Sequence, residues 1–136
     1  MEYLNKGLEL KRKLEDRTKR FAVGVFKFID QLPTVVSSRV IAYQIGKSAS
    51  SIGANYREAN RAESRDDFVH KIGIVLKEVS ETEYWLMVLK ELYPKSEKLN
   101  DLIAEVDELL RIFQSTNRSL RTNKSNKSKQ STNTID

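Results

Sequence analysis

Arg57, Arg61 and Arg65 recur every four residues. Four residues is just over one helical turn, so a helix running that far would carry all three on one face. Lys47 stands ten residues before Arg57, close to three turns, and extends the row. A row of fixed cations neutralises phosphates, so this spacing fits a nucleic-acid contact. The competing reading is a solvated face with pairs inside the helix, because Glu58 neighbours Arg61. A second cluster, Lys11, Arg12, Lys13, Arg17, Lys19 and Arg20, is open to the same two readings, with Glu15 able to pair with Lys19. No aromatic residues alternate with these cations, so neither cluster resembles a base-stacking platform, and nothing distinguishes RNA from DNA.

Catalytic chemistry finds little to work with. His70 is the only histidine and there is no cysteine, so a His/Cys zinc site lacks its ligands. His70 falls two residues after Phe68 and points away from the apolar stripe described below, as a surface histidine. Glu78, Glu81 and Glu83 crowd one segment, but a two-metal site in a helix bundle calls for Glu-x-x-His pairs, which are absent. No nucleophile elbow, phosphate-binding loop or dinucleotide fingerprint occurs. We therefore expect no catalytic residue, no metal and no cofactor.

These residues must be positioned by helices. The chain of 136 residues has the length of one domain, and 5 Gly and 2 Pro leave few turning points, which suits long helices with short links. Phe21, Val25, Phe28 and Leu32 recur at helical spacing, with Ala22, Phe26 and Ile29 widening the stripe, and predict a helix from about Lys11 to Leu32 that Pro33 ends. Gly24 inside it calls for a close helix contact. A second helix is expected from Thr34 to Asn60, with Val36, Val40, Tyr43, Ser48, Ile52 and Tyr56 inward and a tight seam at the small residues 48–55. Ser64 is placed as the N-cap of a third helix, three residues before Asp67. Phe68, Ile72, Val75, Val79, Thr82, Leu86, Leu89 and Tyr93 then alternate at steps of four and three, the 3.5-residue period of bundle packing. Ile74, Trp85 and Val88 lie off that stripe and are open to oligomer contact. Pro94 ends this helix and Ser96 caps a fourth, whose stripe runs from Leu99 to Phe113. The expected architecture is all-α: an antiparallel up-down-up-down four-helix bundle over residues 1–117, with a disordered basic tail over 118–136.

Charge is unevenly spread. The net +5 resolves into +6 over residues 1–65, −6 over 66–110 and +4 over 118–136, with Arg111 between the last two. Such polarity points to an anionic partner or to subunits packing basic half against acidic half. The N-terminal stretch lacks the apolar core of a signal peptide, and no apolar run reaches membrane-spanning length. The expected setting is cytoplasmic, without a membrane and without an identified small-molecule substrate.

The segment from Gln44 to Leu86 resembles the small bacterial four-helix-bundle proteins encoded in intervening sequences of 23S ribosomal RNA genes. The resemblance is carried by Gln44, Ser48, Ala49, Ser51, Ile52, Asn55, Glu58, Arg61, Ser64, Asp67 and Phe68, then by Glu81 and the run Tyr84-Trp85-Leu86, and extends over about residues 10–115. Lys47 departs from the usual arginine, Tyr56 from a smaller aliphatic residue, and Ala59 from a glycine. The resemblance implies a homo-oligomer, a closed ring of five subunits, and a nucleic-acid role. A related group of similar architecture serves reverse transcriptases as accessory subunits. The matched polar residues Ser48, Ser51, Asn55, Glu58 and Glu81 are expected to form a structural polar seam, with Glu81 partly buried against an arginine. Two functional readings follow. One is a non-enzymatic homo-oligomer that binds RNA or DNA electrostatically through Lys47, Arg57, Arg61 and Arg65. The other is a protein-interaction scaffold or accessory subunit, in which the same cations contact protein.

Overall fold

The computed structural model describes residues 2–132. Four helices follow in order, α1 (Glu2–Ile29), α2 (Val36–Ala59), α3 (Arg65–Leu92) and α4 (Glu97–Thr132). Each packs against its neighbour in sequence, and α1 meets α4 more loosely to close the bundle. The connections are short, so neighbouring helices run antiparallel, as the sequence leads one to expect.

The stops and starts follow local chemistry. The Ser64 side chain accepts a hydrogen bond from the Asp67 amide at 3.1 Å and caps α3. Asp66 and Asp67 lie in that first turn, where the helix dipole favours negative charge. The Ser96 hydroxyl likewise accepts from the Leu99 amide at 3.3 Å. Tyr93 closes α3 just before Pro94, a residue that cannot donate the next backbone bond.

The core takes Phe21 and Val25 from α1, Ile41, Ile45, Ala49, Ile52, Tyr56 and Ala59 from α2, the Ile72–Leu89 stripe from α3, and Leu99, Val106, Leu109 and Phe113 from α4. Tyr56 and Phe113 meet edge to face at 5.4 Å between ring centres. Gly24 faces α4, where a Cβ would make ordinary van der Waals contact with a Leu102 methyl at 3.4 Å, so the packing does not demand a glycine there.

Three sequence expectations need correction. First, Val36, Val40 and Tyr43 are exposed, and Ile41, Ile45 and Ala49 face inward instead. The outer stripe continues into Lys47, Ala54 and Arg57, and burying those cations would cost more than leaving valines in water. Second, α1 begins at Glu2 and not near Lys11; its first three turns are almost entirely exposed, Tyr3 and Leu4 among them. Third, α4 continues as helix to Thr132, through the segment expected to be disordered. No glycine or proline interrupts it after Pro94, and Thr122 and Ser128 bond back to carbonyls of their own helix. Composition did anticipate that this stretch contributes little to the core: Leu120 is the last residue packed against it. Residues 133–136 of the expected tail lie outside the described residues.

A candidate nucleic-acid interface at one pole of the bundle

Antiparallel topology gathers distant stretches of sequence. The start of α1, the end of α2, the start of α3 and the end of α4 share one pole. Side-chain bonds fix this register: Arg17 of α1 bonds Glu105 of α4 at 2.6–2.8 Å, and Lys71 of α3 reaches Glu58 of α2 at 3.3 Å. Residues 2–20, 55–71 and 105–132 of this pole hold 17 of the 24 Lys and Arg and 11 of the 19 Asp and Glu, a net charge of +6. The opposite half, omitting the four terminal residues, has no net charge. The acidic segment 66–110 is divided by the fold, because α3 and α4 each carry charge toward both poles.

Between α1 and α2 at this pole runs a groove of about 440 Å³. Its floor is small and largely apolar, built from Thr18, Ala22, Ser50, Gly53 and Ala54. Gly53 brings the helices together: a Cβ there would sit 3.0 Å from the Thr18 hydroxyl. Thr18 is fully buried and its hydroxyl is tied to the carbonyls of Leu14 and Glu15, so it cannot easily yield. Arg12, Lys19, Arg57 and Arg61 stand around the groove, with Glu15 and Asp16. Asp16 is already paired with Arg20 at 2.9 Å and Lys19 at 3.7 Å. Glu15 accepts from the Asn60 amide at 3.5 Å. Arg12, Arg57 and Arg61 make no ion pair among the described residues.

The predicted row Lys47–Arg57–Arg61–Arg65 is not one helical face. α2 ends at Ala59, Arg61 lies in the turn that follows, and Arg65 is the first residue of α3. Arg57 and Arg61 meet at the groove, Arg65 is exposed at the same pole, and Lys47 lies about 15 Å further along α2 by helical rise. Lys47, exposed on the outer stripe of α2, lies near enough to α3 for its charge to oppose the rise in the Glu78 pKa. That pKa is raised first by burial and then by Glu81. Spacing alone could not show this division, because it assumes the helix continues through Asn60. It also missed Arg12 and Lys19 as partners of Arg57 and Arg61, a pairing made only by the packing of α1 on α2.

The expected polar seam divides as well. Ser48 and Thr82 are buried and share a hydrogen bond of 2.8 Å between α2 and α3. Ser51 and Asn55 instead bond to carbonyls within α2, at 2.7 and 2.8 Å. Glu58 is an exposed partner of Lys71. Glu81 is half-buried as expected but has no arginine beside it among the described residues; its near neighbour is Glu78. A further carboxylate pair, Glu83 with Asp107 across α3 and α4, was not anticipated; burial, then Asp107, raises the Glu83 pKa. His70 is exposed. Among the described residues no three His, Cys, Asp or Glu side chains gather to hold a metal ion, and no helix is long and apolar enough to cross a membrane.

Comparison with known proteins places the chain. No curated protein matches it in sequence. A solved structure of a protein of unknown function from the S23 ribosomal protein family of Bacteroides thetaiotaomicron superposes with a TM-score of 0.69 at 33% identity, covering 79% of this chain and 97% of that one. The family model described as 23S rRNA-intervening sequence protein matches residues 11–115. That range takes in the bundle and leaves out the first turns of α1 and the last turns of α4, and over it the chain belongs to the 23S rRNA-intervening sequence protein family.

Proposed function

We propose that this protein is a non-enzymatic, homo-oligomeric nucleic-acid-binding bundle whose binding surface is the cationic pole. The observation that carries the reading is the set of unpaired guanidinium groups, Arg12, Arg57 and Arg61, held around one groove at the pole. A cation already paired to a carboxylate has little left to offer a phosphate. These three have no such partner to give up among the described residues. The exposed cations of the last turns of α4, Arg118 and Arg121 among them, extend the same field. Binding of this kind is weakly sequence-specific and steeply salt-dependent.

Self-association is supported at the other half of the molecule. There α2 exposes Val36, Val40 and Tyr43, and α3 exposes Tyr84, Met87 and Leu92. Several large apolar side chains in one half of a small bundle favour cover by another copy. A ring of five such subunits would multiply the cationic poles. The accessory-subunit reading places a protein on the pole instead, and it differs in salt response and in what reversal of Arg61 abolishes.

Anisotropy of labelled RNA and DNA titrated with the full chain across a salt series tests the proposal. Arg57→Glu with Arg61→Glu should weaken binding and flatten the salt slope by about one to two, at roughly 0.7–0.9 for each phosphate no longer neutralised, while the assembly mass stays constant. Loss of assembly with no change in nucleic-acid binding would instead place these arginines against a protein partner.

A further inference from the structure

We infer that the α1–α2 groove receives a single-stranded nucleic acid and seats one unstacked nucleotide between the helices. This rests on the nucleic-acid reading above and narrows it to a strand type and a seat. A duplex presents phosphates on a convex surface and keeps its bases stacked inside. It could touch the arginines on the rim and would leave the groove empty. At about 440 Å³, the groove falls within the range of small-ligand sites, a scale suited to one nucleotide. Its floor at Ala22, Gly53 and Ala54 lacks long side chains that would fill it, and Gly53 cannot gain even a methyl group without meeting Thr18 at 3.0 Å.

The rim matches such an occupant. Arg57 and Arg61 on one wall face Arg12 and Lys19 on the other. A guanidinium both pairs with phosphate and stacks on a base face, so these arginines can serve where aromatic side chains are lacking. Among the described residues Glu15 is the lining carboxylate without an ion pair, and a carboxylate accepts from the exocyclic amino group of a base. The last turns of α4 are cationic and would be repelled from this rim, which leaves the acidic stretch of a second copy as the competing occupant.

The chain has no cysteine, so Ala54→Cys puts a single thiol on the groove floor at an exposed position with little change in volume. Ala104→Cys, exposed on α4 and away from both the groove and the apolar half of α2, is the control. Thiol labelling of each protein would be followed alone and with saturating 12-nucleotide single-stranded RNA, single-stranded DNA, or the matched duplex. Single strands should slow labelling of A54C about tenfold or more, leave A104C within twofold, and protect better than the duplex. The RNA and DNA arms show which sugar is preferred. Equal protection by duplex and single strand overturns the inference, and so does no protection under conditions where anisotropy shows binding. Protection that rises with protein concentration in the absence of nucleic acid also overturns it and assigns the groove to a second copy. Failure of the broader reading is separable, because then neither single strand nor duplex binds in the anisotropy assay and R57E with R61E changes nothing.

Discussion

Gly53→Ala probes the close approach that builds the groove. On an exposed helix the change would stabilise by about 1 kcal/mol through helix propensity. Here the new Cβ meets the Thr18 Oγ1 at 3.0 Å, its Cβ at 3.3 Å and its backbone carbon at 3.5 Å. The hydroxyl is held by the Leu14 and Glu15 carbonyls at 2.9 and 3.0 Å, so relief requires α1 to move away from α2. Overpacking of this kind costs about 1–3 kcal/mol, and after the propensity gain the net change is about 0–2 kcal/mol of destabilisation. In a Thr18→Ala background the obstructing oxygen is gone and only the Cβ at 3.3 Å and the backbone carbon at 3.5 Å remain, so Gly53→Ala should lose most of its cost there and stabilise by up to about 1 kcal/mol. The quantity to measure is therefore the coupling in the four-protein cycle, about 1–2 kcal/mol, from urea unfolding at one fixed protomer concentration. That corresponds to roughly 3–8 °C in Tm for a domain of this size. If Gly53→Ala stabilises equally in both backgrounds, the helices do not pack tightly there, and the groove floor is not what the structure shows.

Further perturbations test other parts of the molecule. Thr82→Val removes the 2.8 Å partner of the buried Ser48 hydroxyl, which keeps its 3.3 Å bond to the Ile45 carbonyl, and should cost about 0.5–1.5 kcal/mol; adding Ser48→Ala should cost less than it does alone, as read by the same urea cycle. The Glu83 pKa is raised above the ordinary 4.5 by burial and by Asp107. From that ordinary value up through the raised one, the folded protein holds more protons than the unfolded chain, so stability falls as pH rises through the window and the loss is complete above it. Glu83→Gln should accordingly raise the urea midpoint at pH 7 and shrink its decline as pH rises from 4.5, leaving the share that Glu78 contributes with the same sign. Val40→Glu with Tyr43→Glu places charge on the exposed stripe of α2 and should lower the sedimentation mass without changing the helical circular dichroism; an unchanged mass would move the self-association surface elsewhere.

The class of fold and most helix boundaries could be read from the residues, because these depend on local rules. Ser64 and Ser96 cap, Pro94 forbids continuation, and the 3.5-residue stripe from Phe68 to Leu89 can bury only one face. The family pattern was legible for the same reason, since its spacing lies mostly within α2 and α3. Where two stripes competed on α2, local pattern misled: Val36, Val40 and Tyr43 offer an apolar stripe as Ile41 and Ile45 do, and only the neighbouring helices decide which set is covered. Composition likewise stopped α4 too early, since it reports what a segment can bury and not whether its backbone bonds continue. The candidate site was legible as residue types and not as a place. Arg57 and Arg61 were visible by their spacing, but Arg12 and Lys19 stand some forty residues away in sequence, and Lys47 lies almost three turns from Arg57 along α2. The fold alone brought the first pair of cations to the second and separated Lys47 from both. Charge proximity in a bundle is set by which helix ends share a pole and which faces share a groove, and those are properties of tertiary packing.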